Sequence, residues 1–406
     1  MRRLYFLFLF CFHLVIVNAQ VIANHAIVDD FDNIPQEWID LVKKQLVWVP
    51  GMSHGYGYFY GAELLEVVDN RFQVDIWYHT DPLAPQTNAL RLGRPGWGGA
   101  TQWSETPFRR NTMIDIDNSY TANNPIHAYW IAHSYESTWE NPPGGTIDPV
   151  YNVHWGGNVL GIWGLDAGDE ALTGNPICMD YYLATTDTFI THTLTNNYDT
   201  KFFITTGAID GNAGTENGFQ RELKNQHIRN YVLNSNDPNI FFLDYADILS
   251  HNAAGEKHQA VWDDGGTPRA HDQIHPDNLE AIPGVSLPPG EMDDHIGDAG
   301  ALRIAKAMWW LLARAAGWDG ESTGIEPNDN GVESAKVFVH DREIVIEMDE
   351  SAGYTSVTLI NLEGKCVDEV VVRGGSCHIR TDRHRRGVYF VKLNKSDASE
   401  TRKVIL

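Results

Sequence analysis

Between residues 45 and 316, short apolar runs alternate with helix-like stretches, and this alternation limits the fold more than any other feature of the chain. Gln45-Leu46-Val47-Trp48-Val49 reads as a buried strand, and residues 60–68 as the helix after it. Residues 72–77 form a second strand candidate. Residues 158–163, 201–205 and 240–243 are further buried runs, each close to a helix-like stretch. Residues 180–195 form one such helix, and residues 299–316 a long, strongly apolar one. Strands and helices in alternation predict an α/β domain whose parallel sheet is covered on both faces. Ligands of such sheets sit at the carboxyl ends of the strands.

Composition narrows the partners. The chain has 54 acids against 30 bases, a formal net charge of -24. Nucleic acid and anionic membranes need a basic surface, so neither is expected as a partner. Residues 1–19 read as a secretory signal peptide: Arg2 and Arg3, an apolar run over 4–17, and small residues at Val17-Asn18-Ala19. Its removal takes the charge from -24 to -26, and no later segment is apolar enough to cross a bilayer. Residues 20–320 form the large domain. The polar, turn-rich stretch 321–335 reads as a linker. Residues 336–406 carry short alternating runs, the pattern of a small β-sandwich. After the signal three cysteines remain, Cys178, Cys366 and Cys377. Cys366 and Cys377 could pair across neighbouring strands or stay as two thiols.

The first strand runs into Pro50-Gly51-Met52-Ser53-His54-Gly55-Tyr56-Gly57. A serine at a strand-to-helix turn is presented at the sheet's carboxyl edge, where a helix N-terminus favours an oxyanion. Serine also caps helices for structural reasons alone. At the far end of the domain, Asp293-Asp294-His295 precedes Ile296-Gly297-Asp298-Ala299-Gly300 and the last helix. A histidine there can face the end of the first strand and act as general base to a hydroxyl.

Gly51-Met52-Ser53-His54 resembles the Gly-Asp-Ser block of the SGNH (GDSL-type) hydrolases, and His295 with Ala299-Gly300 resembles that family's closing histidine block. The stretches 203–211, 225–231, 241–248 and 307–319 are similar to a secreted subgroup, so the resemblance covers most of residues 45–319. It implies a three-layer α/β/α sandwich and ester hydrolysis with Ser53 as nucleophile and His295 as base. It implies no metal and no cofactor. Gly387-Val388-Tyr389-Phe390-Val391-Lys392-Leu393, followed after a turn by Arg402-Lys403-Val404-Ile405-Leu406, resembles the type A sorting domain of the type IX secretion system of Bacteroidetes. That implies the type IX machinery as a partner and a secreted or cell-surface location reached through the periplasm.

The pattern is incomplete. The family's Asp three residues before the histidine is Met292 here, which leaves Asp293 and Asp294 as candidates to orient His295. Asp272 and His275 copy the family spacing but lead into a proline-rich loop. Oxyanion donors are expected from Ser53 itself and from Gly98 and Gly99. The family's third-block asparagine is replaced by Asp166, which would repel an oxyanion unless protonated. The expected substrate is a small ester or an ester-bearing polysaccharide. A non-catalytic glycan-binding protein on a degenerate scaffold is the alternative, and a metal-dependent polysaccharide enzyme a third. His54, His79, His127, His133 and His154 show no ligand spacing. Trp97, Trp103, Trp155 and Trp163 suit a core or a sugar platform. Residues 115–118 and 263–265 suit surface turns or calcium loops.

Overall fold

The computed structural model describes residues 20–51, 53–78, 87–94, 102–133, 145–156, 162–209, 214–235, 237, 240–285, 295–320, 335–340, 343–348, 353–361, 365–381, 383–384, 388–395 and 399–405. They divide into two compact units, one of residues 20–31 with 39–316, the other of residues 32–38 with 317–405. No helix among them is long and apolar enough to cross a membrane.

The first unit is an α/β domain around a seven-stranded sheet. Its strands are β1 (Val21–Ala23), β2 (Leu46–Trp48), β3 (Val74–Tyr78), β4 (Leu90–Arg94), β5 (Ile126–Tyr129), β6 (Lys201–Thr205) and β7 (Ile240–Leu243), in the order β1-β7-β6-β5-β2-β4-β3. Every pairing is parallel. The main helices are α1 (Gly57–Val68), α2 (Thr106–Thr121), α3 (Met179–Thr195), α4 (Glu216–Asn234), α5 (Tyr245–Ser250) and α6 (Gly297–Ala315).

Successive strand residues point to opposite sides of the sheet, and those on both faces are buried. Leu46, Trp48, Tyr129, Phe202, Ile204 and Phe242 pack with Phe108, Tyr182, Phe189 and Ile228 of α2, α3 and α4. On the other face Trp130 stacks on Phe203 at 5.0 Å and meets Tyr58 of α1 edge-on. There α1 crosses α6 so closely that a Cβ at Gly61 would lie 2.0 Å from the Ala301 carbonyl oxygen. An antiparallel hairpin, β8 (Gln259–Asp264) and β9 (Thr267–Asp272), follows α5.

The second unit holds two antiparallel sheets. β11 (Glu343–Met348) lies between β10 (Ala335–His340) and β14 (Ser376–Arg380). β12 (Tyr354–Asn361) and β15 (Val388–Lys395) lie between β13 (Cys366–Val371) and β16 (Ser399–Ile405). Val337, Ile344, Ile346 and Ile379 share one core with Val357, Leu359, Val391 and Leu393, which is a β-sandwich. Cys366 and Cys377 sit in different sheets and both are free thiols, so the disulfide does not form. Burial pushes the Cys377 thiol up.

Candidate active site

The turn after β2 is shaped by close approach. Ala132, just past β5, donates its N–H to the Pro50 carbonyl at 2.9 Å and bridges Gly51 in parallel. A Cβ at Gly51 would lie 2.4 Å from the Ala132 oxygen, so only glycine fits. The chain then enters a single 3-10 turn, Ser53–Tyr56, and continues as α1. A Cβ at Gly57 would lie 2.7 Å from Cδ1 of Ile296. Ile296 is the residue before α6, so the starts of α1 and α6 are drawn together.

Ser53 is half-buried there and His295 exposed. The ring of His54 lies 5.0 Å from that of His295, tilted by 32°. Ser53 Oγ lies 3.4 Å from His54 Nδ1, a long contact, and the Tyr245 hydroxyl donates to the His54 carbonyl at 3.0 Å. Among the described residues, five that are not glycine have left-handed backbone: Ser53 (φ 53), His295 (φ 55), Asn123, Asn152 and Asn197. Asparagine tolerates this region. Histidine enters it more readily than most residues but serine does not, and such strain gathers at functional sites.

Around this turn the strand ends add polar groups. Arg94, the last residue of β4, lays its guanidinium 3.9 Å from the centre of the Tyr56 ring and contacts the Tyr56 hydroxyl. His133, next after Ala132, is fully buried and meets Tyr182 edge-on at 4.4 Å. Burial pushes its pKa down to about 4, so the ring is neutral at neutral pH. Burial also raises the pKa of Tyr58, and that of Tyr182 to about 12, so both phenols stay protonated. His54, Tyr56 and Arg94 were not singled out from the sequence as parts of this site. The one available signal was that His54 directly follows Ser53.

Other expected residues fall elsewhere. Met52, His79, Trp97, Gly98, Gly99, Met292, Asp293 and Asp294 lie outside the described residues. The strands beside β2 are β4 and β5, and Asp166 follows neither. Residues 158–161 are outside the described set, and Ile162 and Trp163 are not in a strand. The Asp166 carboxylate caps a 3-10 turn, accepting from the Gly168 N–H at 2.7 Å, while Asp169 accepts from the Leu165 N–H at 2.6 Å. Asp166 is exposed at this cap.

The rival pair is spent on structure. Asp272 binds Lys257 Nζ at 2.7 Å and faces Arg229 at 3.8 Å, while His275 Nδ1 accepts from the Asp277 N–H. Asp298 accepts from the Tyr60 hydroxyl at 2.7 Å. Arg229 forks onto Asp244 at 2.6 and 2.9 Å, and Thr206 also donates to Asp244, so the family-like stretches around these residues form one buried network. Residues 115–118 are helical within α2, and Asp263 accepts from the Gly266 N–H in the hairpin turn; neither is a cation loop. His127 accepts from the Leu46 N–H and His154 pairs with Glu216, at separate places. Trp103, Trp155 and Trp163 are core.

The class so defined is a doubly covered α/β domain with a strained serine turn at its sheet's carboxyl edge, in a chain that also carries a β-sandwich. Residues 341–406 match the secretion system C-terminal sorting domain family. This is the type IX sorting domain, and it implies a secreted or cell-surface protein. Two solved structures are similar to the chain. One is a protein of Bacteroides fragilis described as a candidate acylhydrolase, with 11% identity and a TM-score of 0.30 over 71% of this chain and 93% of that one. The other is a double mutant of a Cellulomonas fimi endo-beta-1,4-mannanase, with 7% identity and a TM-score of 0.17 over 95% of this chain and 99% of that one. Neither likeness is close enough to carry over a fold or an activity. No curated protein matches the chain.

Proposed function

We propose that the chain is an exported serine esterase of the SGNH type, with residues 1–19 as signal peptide, 20–320 as hydrolase domain and 321–335 as linker to the sorting domain. Ser53 Oγ adds to the carbonyl carbon of an ester while its proton passes to the His295 ring. The tetrahedral adduct expels the alcohol, which takes that proton and leaves acyl-Ser53. Water then adds to the acyl carbon with His295 as base, releasing the acid and restoring the hydroxyl. Asp293 or Asp294 orients His295. Backbone N–H groups of Ser53, Gly98 and Gly99 receive the oxyanion.

The observation that carries this reading is the left-handed backbone of Ser53 and of His295 at two turns joined through the His54 ring. The sorting domain supports work outside the cell, where O-acyl groups on polysaccharides are the substrate class. The test is acetate release from an acetylated polysaccharide and from p-nitrophenyl acetate by wild type, His295→Ala and His54→Asn. General-base loss costs about a hundredfold to ten-thousandfold, and His295→Ala is expected to lose that much while His54→Asn loses less. The opposite ranking removes His295 as base. Binding of the polymer without acetate release from either substrate replaces catalysis with glycan binding.

A further inference from the structure

The strand beside the serine turn ends in a cation. β2 and β4 run parallel with Trp48 opposite Gly93, and the Val49 N–H donates to the Gly93 carbonyl at 2.9 Å. Arg94 therefore leaves the sheet alongside the chain that enters the turn Ser53–Tyr56. Its guanidinium lies over the ring of Tyr56, 3.9 Å from the centre, and an N–H meets the Tyr56 hydroxyl. Tyr56 is the last residue of the turn that Ser53 opens. A 3-10 turn rises about 2.0 Å per residue, so the Cα atoms of these two residues are about 6 Å apart.

Arg94 lacks the partner that other half-buried arginines of this domain have. Arg229 forks onto Asp244, Arg71 binds Asp69 at 2.7 Å, and Arg269 meets Asp264 at 3.3 Å. Among the described residues no carboxylate pairs with Arg94, although the chain has 54 acids against 30 bases. Arginine carries five N–H donors, and the Tyr56 hydroxyl uses one of them. A guanidinium laid on an aromatic ring keeps its edge open to a carboxylate, which it holds through two parallel N–H···O bonds. A cation partly withdrawn from water costs free energy until a counter-ion arrives.

We infer that Arg94 is an anion-binding subsite of the Ser53 site, and that the ester substrate carries a carboxylate near its scissile bond. This inference rests on the serine-esterase reading. The carboxylate has two chemical sources. One is the alcohol side, as in an acetylated uronic-acid polymer; the other is the acyl side, as in a half-ester of a dicarboxylic acid. The guanidinium fork holds either in the same way. A purely structural Arg94 would latch Tyr56 and steady the serine turn, which affects neutral and anionic esters alike. A subsite changes the ratio between them.

The test assays the whole chain as wild type, Arg94→Lys and Arg94→Gln on two ester pairs. Acetylated polygalacturonate is paired with acetylated xylan, and p-nitrophenyl hydrogen adipate with p-nitrophenyl hexanoate. The readout is the ratio of kcat/KM between the anionic and the neutral member. Wild type is expected to favour the anionic member of one pair, and that pair names the side that carries the carboxylate. Its ratio is expected to fall at least about tenfold in Arg94→Gln, which loses the charge and the fork. It should fall less in Arg94→Lys, which keeps the charge without the fork. A wild-type preference for the neutral member in both pairs overturns the subsite even if neither variant folds, and so does a ratio that a folded Arg94→Gln leaves unchanged. If wild type cleaves none of the four esters, the esterase reading fails, and calorimetric titration with polygalacturonate and with adipate still reads the subsite. Binding weakened at least about tenfold in Arg94→Gln then supports it; no binding by wild type, or equal binding, overturns it.

Discussion

Left-handed backbone costs a residue with a side chain about 1–3 kcal/mol, and it persists only where the surroundings over-determine it. Ser53 has such surroundings: Gly51 is pinned against Ala132 on one side, and Gly57 against Ile296 on the other. Replacing Ser53 with glycine should relieve the strain, while alanine removes the same hydroxyl and relieves nothing. Ser53→Gly is therefore expected to exceed Ser53→Ala in stability by about 1 kcal/mol, read as a later urea midpoint at unchanged slope. Equal midpoints would mean that the turn stores no strain. That Ser53 and His295 stand at turns before helices could be read from the sequence, because each is at a fixed offset from small residues at an element boundary. Tyr56 with Arg94, and His25 with Asp247, could not, because strand register and sheet order alone bring those side chains together.

Strands were legible where they are apolar on both faces. Lys201–Thr205 and Ile240–Leu243 coincide with the expected runs 201–205 and 240–243. β4 and β5 were missed because each carries a basic residue inward. Arg91 is buried in β4 because its guanidinium donates to Asn124 Oδ1 at 2.7 Å and to the Lys44 carbonyl at 3.0 Å. Those partners offset the cost of burying a charge, and periodicity cannot register them. At the end of the run 158–163, Ile162 and Trp163 lie outside any strand, and Trp163 packs against Trp103 at 5.3 Å. Helices α1 and α6 were expected, but their close crossing was not. A methyl group at Gly61 has no room beside Ala301, and overpacking of this kind costs about 1–3 kcal/mol. Gly61→Ala is expected to lose stability by that amount in urea unfolding; no loss would mean that α1 and α6 can part without cost.

At the scale of the molecule, the serine turn and the His25–Asp247 contact lie along one sheet edge. The ends of β2, β4 and β5 surround the serine turn, and the ends of β1 and β7 hold His25 and Asp247. This is the edge at which parallel sheets of this kind bind ligands. The C-terminal β-sandwich addresses the chain to the cell exterior. The account rests on Ser53 being a nucleophile activated by His295. A fluorophosphonate probe tests that most directly, with the adduct located by mass spectrometry of peptides. The prediction is a single adduct on Ser53 in wild type, labelling slowed at least about a hundredfold in His295→Ala, and none in Ser53→Ala. Labelling that persists at the wild-type rate in Ser53→Ala would contradict it.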